Sequence, residues 1–173
     1  PYGVIFKLQC GSVWVDATMA GTAKIIIFSW PTCTVLWLKH ATKNGFDLPG
    51  GRCNAGESLL DAARREGAEE LGAPFLEAAA GRALIETFSR RQPRPLQLYT
   101  LVVDAPFTPI LQPREHKDFL WQPLAEGFAP KIVLPSLRPI VPPARQAFCH
   151  LRLRTAQLNK PPRATVGSGL YRA

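Results

Sequence analysis

Two runs rich in Ile, Val, Trp and Phe, Thr22 to Ser29 and Thr34 to Lys39, flank the turn residues Pro31-Thr32 and predict adjacent β-strands. A loop comes next, from Ala41 to Gly56, containing Asn44-Gly45 and Pro49-Gly50-Gly51. The segment after it predicts a helix with marked ends. Ser58 is the N-cap, with Asp61 three residues on. Leu71 is the last periodic residue, Gly72 supplies the C-terminal cap and Pro74 prevents continuation. Further strands are expected at Ala83–Ser89 and Gln97–Val103, joined by a turn around Arg90 to Pro95. A shorter strand is expected at Asp118–Gln122. Residues Ser136 to Cys149 form a weaker helical candidate, interrupted by Pro139, Pro142 and Pro143.

This order of elements predicts one mixed α/β domain over residues 21–150. Residues 1–20 read either as an N-terminal extension or as a first strand. Residues 151–173 read as a basic, flexible tail. The chain opens on Pro1, as expected for a fragment, a processed form or an incomplete gene product. With 173 residues, 46% of them hydrophobic and 20% charged, it is long and apolar enough to bury a core. No apolar run reaches the ~20 residues of a membrane helix, and the start lacks signal-peptide features. A cytoplasmic protein without a membrane partner is therefore expected. Cys10, Cys33, Cys53 and Cys149 show no metal-ligand spacing and are expected to be reduced.

Twenty-one basic against thirteen acidic residues give a net charge of +8. Arg152, Arg154, Lys160, Arg163 and Arg172 contribute five of these charges, in a stretch without Asp or Glu. A nucleic-acid contact through this tail is one expectation. A solvated end is the other.

The chemistry concentrates between Gly51 and Ala73. On a helical wheel Leu60, Ala63, Gly67 and Leu71 share one stripe, and Glu66, Glu69 and Glu70 occupy the neighbouring sector. Like charges at i,i+4 disfavour the helix by a few tenths of a kcal/mol. Anions in the last turns oppose the helix dipole by ~0.3–1 kcal/mol each. A hard divalent cation with oxygen ligands compensates such a cluster, Mg²⁺ first and Mn²⁺ second. A solvated charged face accounts for the helix taken alone.

The surrounding residues decide between these. Gly51, Glu57, Arg65, Glu66, Glu69, Glu70 and Gly72 fill all seven fixed positions of a pattern that resembles the Nudix box, G-x₅-E-x₇-R-E-U-x-E-E-x-G-U. Chance produces such a match in about one chain per million or fewer at this length. The approach Phe46-Asp47-Leu48-Pro49-Gly50 is also similar to that family. Gly67 and Ala73 depart from the bulkier apolar residues common at the two U positions. Gly67 lies on the core stripe, which predicts closer helix–sheet packing and a helix weaker by ~1 kcal/mol.

The resemblance implies an α/β/α sandwich with a mixed central sheet. It further implies Mg²⁺-dependent hydrolysis of a phosphoanhydride bond in a small nucleoside diphosphate-linked substrate. On the same resemblance, Glu66, Glu69, Glu70 and the Gly50 carbonyl hold the metal, Arg65 orients a glutamate and Glu57 supports the helix carboxylates. Glu115, in a loop before the late strand, is the implied general base, and His116 is a poorer one. Arg90, Arg91 and Trp121 are candidate substrate contacts, with core packing the alternative for Trp121, Phe119 and Phe75. No Walker loop is present. The alternatives to a small-molecule hydrolase are a non-catalytic nucleotide- or partner-binding module and an RNA-directed, decapping-type hydrolase using the basic tail.

Overall fold

The computed structural model describes residues 9–10, 13–14, 21–91 and 95–139, and, in the segment after them, 141–142, 144–146 and 148–149. The expected tail 151–173 and the turn residues 92–94 lie outside the described residues, as do most of residues 1–20. Eight strands and two α-helices succeed one another in chain order among the described residues. A short antiparallel pair comes first, β1 (Gln9–Cys10) and β2 (Val13–Trp14). Then come β3 (Thr22–Ser29), β4 (Thr34–His40), β5 (Phe46–Asp47), α1 (Leu59–Leu71) and α2 (Ala73–Ala79). The chain continues through β6 (Ile85–Arg90), β7 (Leu96–Val103) and β8 (His116–Pro123). Described residues between 141 and 149 are helical.

The main sheet is mixed. Its order is β5-β4-β3-β7-β6, with β8 on β4. The adjacent runs β3 and β4 do form a hairpin, but they pair only at Phe28–Val35 and Ser29–Thr34. Beyond the turn they diverge. β3 pairs in parallel with β7 along its whole length, and β4 pairs antiparallel with β8. This gives both strands two buried faces, which is why they read as near-continuous hydrophobic runs rather than alternating ones.

Strand periodicity sorts the two faces. Ile26, Phe28, Val35 and Trp37 join Leu98, Phe128, Leu137, Ala144 and Phe148 in one core. Ala23, Ile25, Ile27, Leu36 and Leu38 join Ala63, Leu71, Phe75 and Leu101 in the other, beneath α1 and α2. The sheet is thus packed between helical layers, the expected α/β/α arrangement. Phe75 is fully buried and belongs to this core, in line with its packing alternative.

Gly67 permits the close approach between α1 and its neighbours. A Cβ there would come within 2.5 Å of Phe75 Cζ and 3.0 Å of Ile25 Cδ1. The ends of α1 match expectation: Ser58 Oγ accepts from the Asp61 amide at 3.1 Å, and Gly72 stands at φ 69° as the C-cap. Beyond Gly72 the chain enters a second helix, which the reading of the sequence does not include. Pro74 occupies the first turn of α2, where a missing N–H leaves no helical bond unmade, so the residue that ends one helix opens the next. β8 also begins two residues earlier than its apolar run suggested, at His116. Among the described residues, no helix is long and apolar enough to cross a membrane.

Candidate active site

The segment between β5 and α1 is tied to the sheet by one buried ammonium. Lys24 of β3 donates to Asp47 Oδ2 at 3.0 Å, to the Leu48 carbonyl at 3.0 Å and to the Gly50 carbonyl at 2.5 Å. A buried lysine needs such partners, because a desolvated charge left unpaired is strongly unfavourable. Gly50 itself has φ 119°, and a Cβ there would collide with the Ala23 carbonyl oxygen. Only glycine lets the backbone lie so close to β3 with this φ. Lys24 carried no recognisable signal, since its partners lie more than twenty residues away in the chain.

From this loop and α1, the chain assembles a charge network around Arg65. Its Nε donates to Glu57 Oε1 at 2.8 Å and one terminal nitrogen to Glu57 Oε2 at 3.0 Å. The other terminal nitrogen donates to Glu66 Oε1 at 2.9 Å and Glu69 Oε2 at 3.2 Å, and the fork also reaches the Arg52 carbonyl at 2.9 Å. Three carboxylates therefore share one guanidinium, a fork that Lys has too few fixed donors to reproduce. The Arg65 hydrogen bond and the Asn54 amide hold the Glu57 carboxyl below its ordinary range. Glu66 moves the other way: burial raises its pKa against the pull of Arg65, and the charges of Glu70 and Glu69 add to the rise. Its carboxylate packs over Gly51, where a Cβ would overlap it.

Glu70 shares the wheel sector of Glu66 and Glu69 but, unlike them, is buried. It is only 4% exposed. Its Oε2 accepts from the Gly50 amide at 2.7 Å, and its Oε1 lies 3.0 Å from His116 Nε2. Donor atoms of Glu70, Glu115 and His116 fall within 4.8 Å of one another. Glu115 is exposed, so its carboxylate is open to solvent beside a buried one. Glu66 and Glu69 lie outside this trio and are gathered by Arg65. Nearby, His40 accepts from the Thr42 and Lys43 amides through Nδ1 at 3.1 and 3.2 Å. Burial lowers its pKa, and the charges of Lys43 and His116 lower it further.

The donor set suits a hard divalent cation. It is rich in carboxylate oxygen, and the shared guanidinium leaves the negative charge of Glu57, Glu66, Glu69 and Glu70 largely uncompensated. The Gly50 carbonyl already accepts from Lys24, which leaves it one further lone pair. Arg90 ends β6 with its Nε buried and without a hydrogen-bond partner, and Arg91 is exposed. Trp121 is half-buried against Phe107, donating its indole N–H to the Phe107 carbonyl at 2.9 Å. Among the described residues, no hydrogen bond or ion pair links these three to the carboxylates. Cys53 and Cys149 are free thiols, as expected, and burial pushes the Cys53 thiol up.

No curated protein matches the chain. Solved structures do. An Ap4A hydrolase from C. elegans superposes with a TM-score of 0.59 at 20% identity, covering 76% of this chain and 98% of that one. The dihydroneopterin triphosphate pyrophosphohydrolase of E. coli gives 0.56 at 16% identity, covering 79% and 99%. A MutT protein from Methanosarcina mazei gives 0.53 at 15% identity, covering 80% and 99%. At these identities the likeness shows the fold. The NUDIX domain model matches residues 21–143, which takes in β3 through the start of the last helical segment and every residue of the Arg65 and Glu70 networks. With the sheet, the helix and the carboxylate network all within that match, the chain belongs to the NUDIX family.

Proposed function

We propose that this protein hydrolyses a phosphoanhydride bond in a small nucleoside diphosphate-linked compound, with Mg²⁺ as the required ion and Mn²⁺ as a substitute. The observation that carries the reading is Arg65 holding Glu57, Glu66 and Glu69 at one end of α1 while Glu70 is fixed beside them. The substrate class is taken from the names of the C. elegans and E. coli structures, a hydrolase of Ap4A and a pyrophosphohydrolase of dihydroneopterin triphosphate.

In this reading Glu66, Glu69 and Glu70 hold the ion, with the Gly50 carbonyl as a further oxygen donor. A divalent cation there supplies charge neutralisation for the phosphate oxygens and the leaving phosphate. The chain's own residues do the positioning. Arg65 holds Glu66 through one terminal nitrogen and is itself fixed by Glu57 through Nε and the other terminal nitrogen. The Gly50 amide orients Glu70 by donating to its Oε2. Glu115, exposed next to Glu70, is the group that accepts the proton of the attacking water. Arg90 and Arg91 supply positive charge at the end of β6 for a distal anionic group, and Trp121 offers an aromatic surface to a base.

The test is release of phosphate or mononucleotide from NTPs, ADP-ribose, NADH, dinucleoside polyphosphates, CoA and capped RNA, with Mg²⁺ and with Glu70→Gln as control. Metal-dependent turnover that falls at least roughly 100-fold in the control is the expected outcome. A fully active Glu70→Gln protein, or a folded wild type that cleaves none of these compounds, would overturn the reading.

A further inference from the structure

His116 reaches Glu70 because of an irregularity in the sheet. β4 and β8 pair one-to-one from Thr34–Pro123 to Lys39–Asp118, and the next pair is His40–His116, so the register shifts there. Leu36 and Leu38 of β4 and their partners Trp121 and Phe119 of β8 all pack on the α1 side of the sheet. Paired residues share a face, so unbroken alternation would bring Lys117 to that side beneath α1. The shift leaves Lys117 exposed and turns His116 inward instead, 4% exposed, with Nε2 at 3.0 Å from Glu70 Oε1. Register shifts of this kind commonly re-aim a side chain beside a functional site.

We infer that His116 is a positioning residue for Glu70, fixing one carboxylate oxygen while the Gly50 amide fixes the other. The inference rests on the reading of Glu70 as a metal ligand. Two sequence-distant backbone segments then converge on a single carboxylate: the loop before α1, anchored by Lys24, and the start of β8, anchored by the His116 amide donating to the Gln112 carbonyl at 2.9 Å. His116 Nδ1 is buried and has no hydrogen-bond partner, so the ring meets the site through Nε2, at 3.0 Å from Glu70 Oε1. A carboxylate bound at both oxygens has a set orientation toward an ion, whereas one held at a single oxygen rotates.

The experiment compares His116→Gln, whose amide nitrogen reaches the position of Nε2, with His116→Asn, whose shorter amide does not, and with His116→Phe. Mn²⁺ binding is followed by electron paramagnetic resonance without substrate, alongside kcat and the Mg²⁺ concentration for half-maximal rate. We expect His116→Asn and His116→Phe to bind Mn²⁺ about ten-fold or more weakly, and His116→Gln to stay near wild type. Equal Mn²⁺ affinity in the Gln and Asn variants would overturn the inference, and that comparison decides even if the Phe variant does not fold. Nitrogen coupling to bound Mn²⁺ would also overturn it, by making His116 a direct ligand. Glu70→Gln separates the two levels of argument. If it binds Mn²⁺ like wild type, the metal-ligand reading fails; if it loses Mn²⁺ while the His116 variants do not, the positioning role alone fails.

Discussion

Glu57 and Arg65, eight residues apart across the start of α1, meet in a two-point ion pair of 2.8 and 3.0 Å, and the same guanidinium then reaches Glu66 and Glu69. The pair couples the loop before the helix to the helix face that carries the other carboxylates. Its strength lies in geometry more than charge, because a planar fork presents parallel donors to a carboxylate.

Arg65→Lys therefore keeps the charge and loses the fork. Turnover is expected to fall about 10–100-fold, with a melting temperature close to that of wild type. Steady-state kinetics at saturating Mg²⁺ beside a circular-dichroism melt check this. A Lys variant with unchanged kcat removes Arg65 from the positioning role.

The Glu57 carboxyl should leave a mark on acid stability. Arg65 first, and the Asn54 amide second, hold its pKa below the ordinary 4.5. The native state thus binds this proton less readily than the unfolded chain. The stabilisation is present in full above the ordinary value and disappears as pH falls through the lowered one. Urea titrations of wild type and Glu57→Gln should show a stability gap that is full above the ordinary value of 4.5 and closes as pH falls below it. A gap independent of pH contradicts the prediction.

Neighbouring glycines should respond differently to alanine. At Gly50 the new Cβ meets the Ala23 carbonyl of β3 at a φ of 119°, and neither backbone can yield cheaply. Gly50→Ala is expected to destabilise by about 2–4 kcal/mol. At Gly51 the Cβ meets the end of the Glu66 side chain, which can swing away. Gly51→Ala should fold with less than about 1 kcal/mol of loss and still lose most of its activity, since Glu66 leaves its place beside Arg65. Chemical denaturation and initial rates on both variants decide, and equal stability of the two would refute the distinction.

Gly67→Ala sets two effects against each other. Alanine favours a helix interior by about 1 kcal/mol over glycine. The added methyl meets Phe75 Cζ at 2.5 Å and Ile25 Cδ1 at 3.0 Å within a close-packed core, where overpacking typically costs about 1–3 kcal/mol. Overpacking should win, for a net loss of about 1–2 kcal/mol in urea. A stabilised variant would show that α1 and α2 move apart at little cost.

Strands β3, β4, β6, β7 and β8, the length of α1 and the box carboxylates were legible along the chain because each depends on local periodicity, local capping or fixed spacing. By contrast, β5 falls within the expected loop and is defined by its pairing with β4. Ser58 and Gly72 bound α1 as expected. The second helix was missed because Pro74 stops a helix from one side and starts one from the other, and local sequence does not say which. The β8 strand is three residues longer than the expected Asp118–Gln122, because pairing with β4 extends it to His116 at one end and Pro123 at the other.

What the sequence by itself determined is the family pattern, the α/β class and the identity of the carboxylates that we propose carry the chemistry. Tertiary structure alone decided which of them is buried and what holds each in place. Glu70 lies in one continuous helical sector with Glu66 and Glu69, yet it is buried, with the Gly50 amide at one oxygen and His116 of β8 at the other. Lys24 and His116 become partners of the site through strand pairing and a register shift. Such contacts join residues twenty to forty-six positions apart, and burial and hydrogen bonding at that distance arise from how elements pack, which no local spacing encodes.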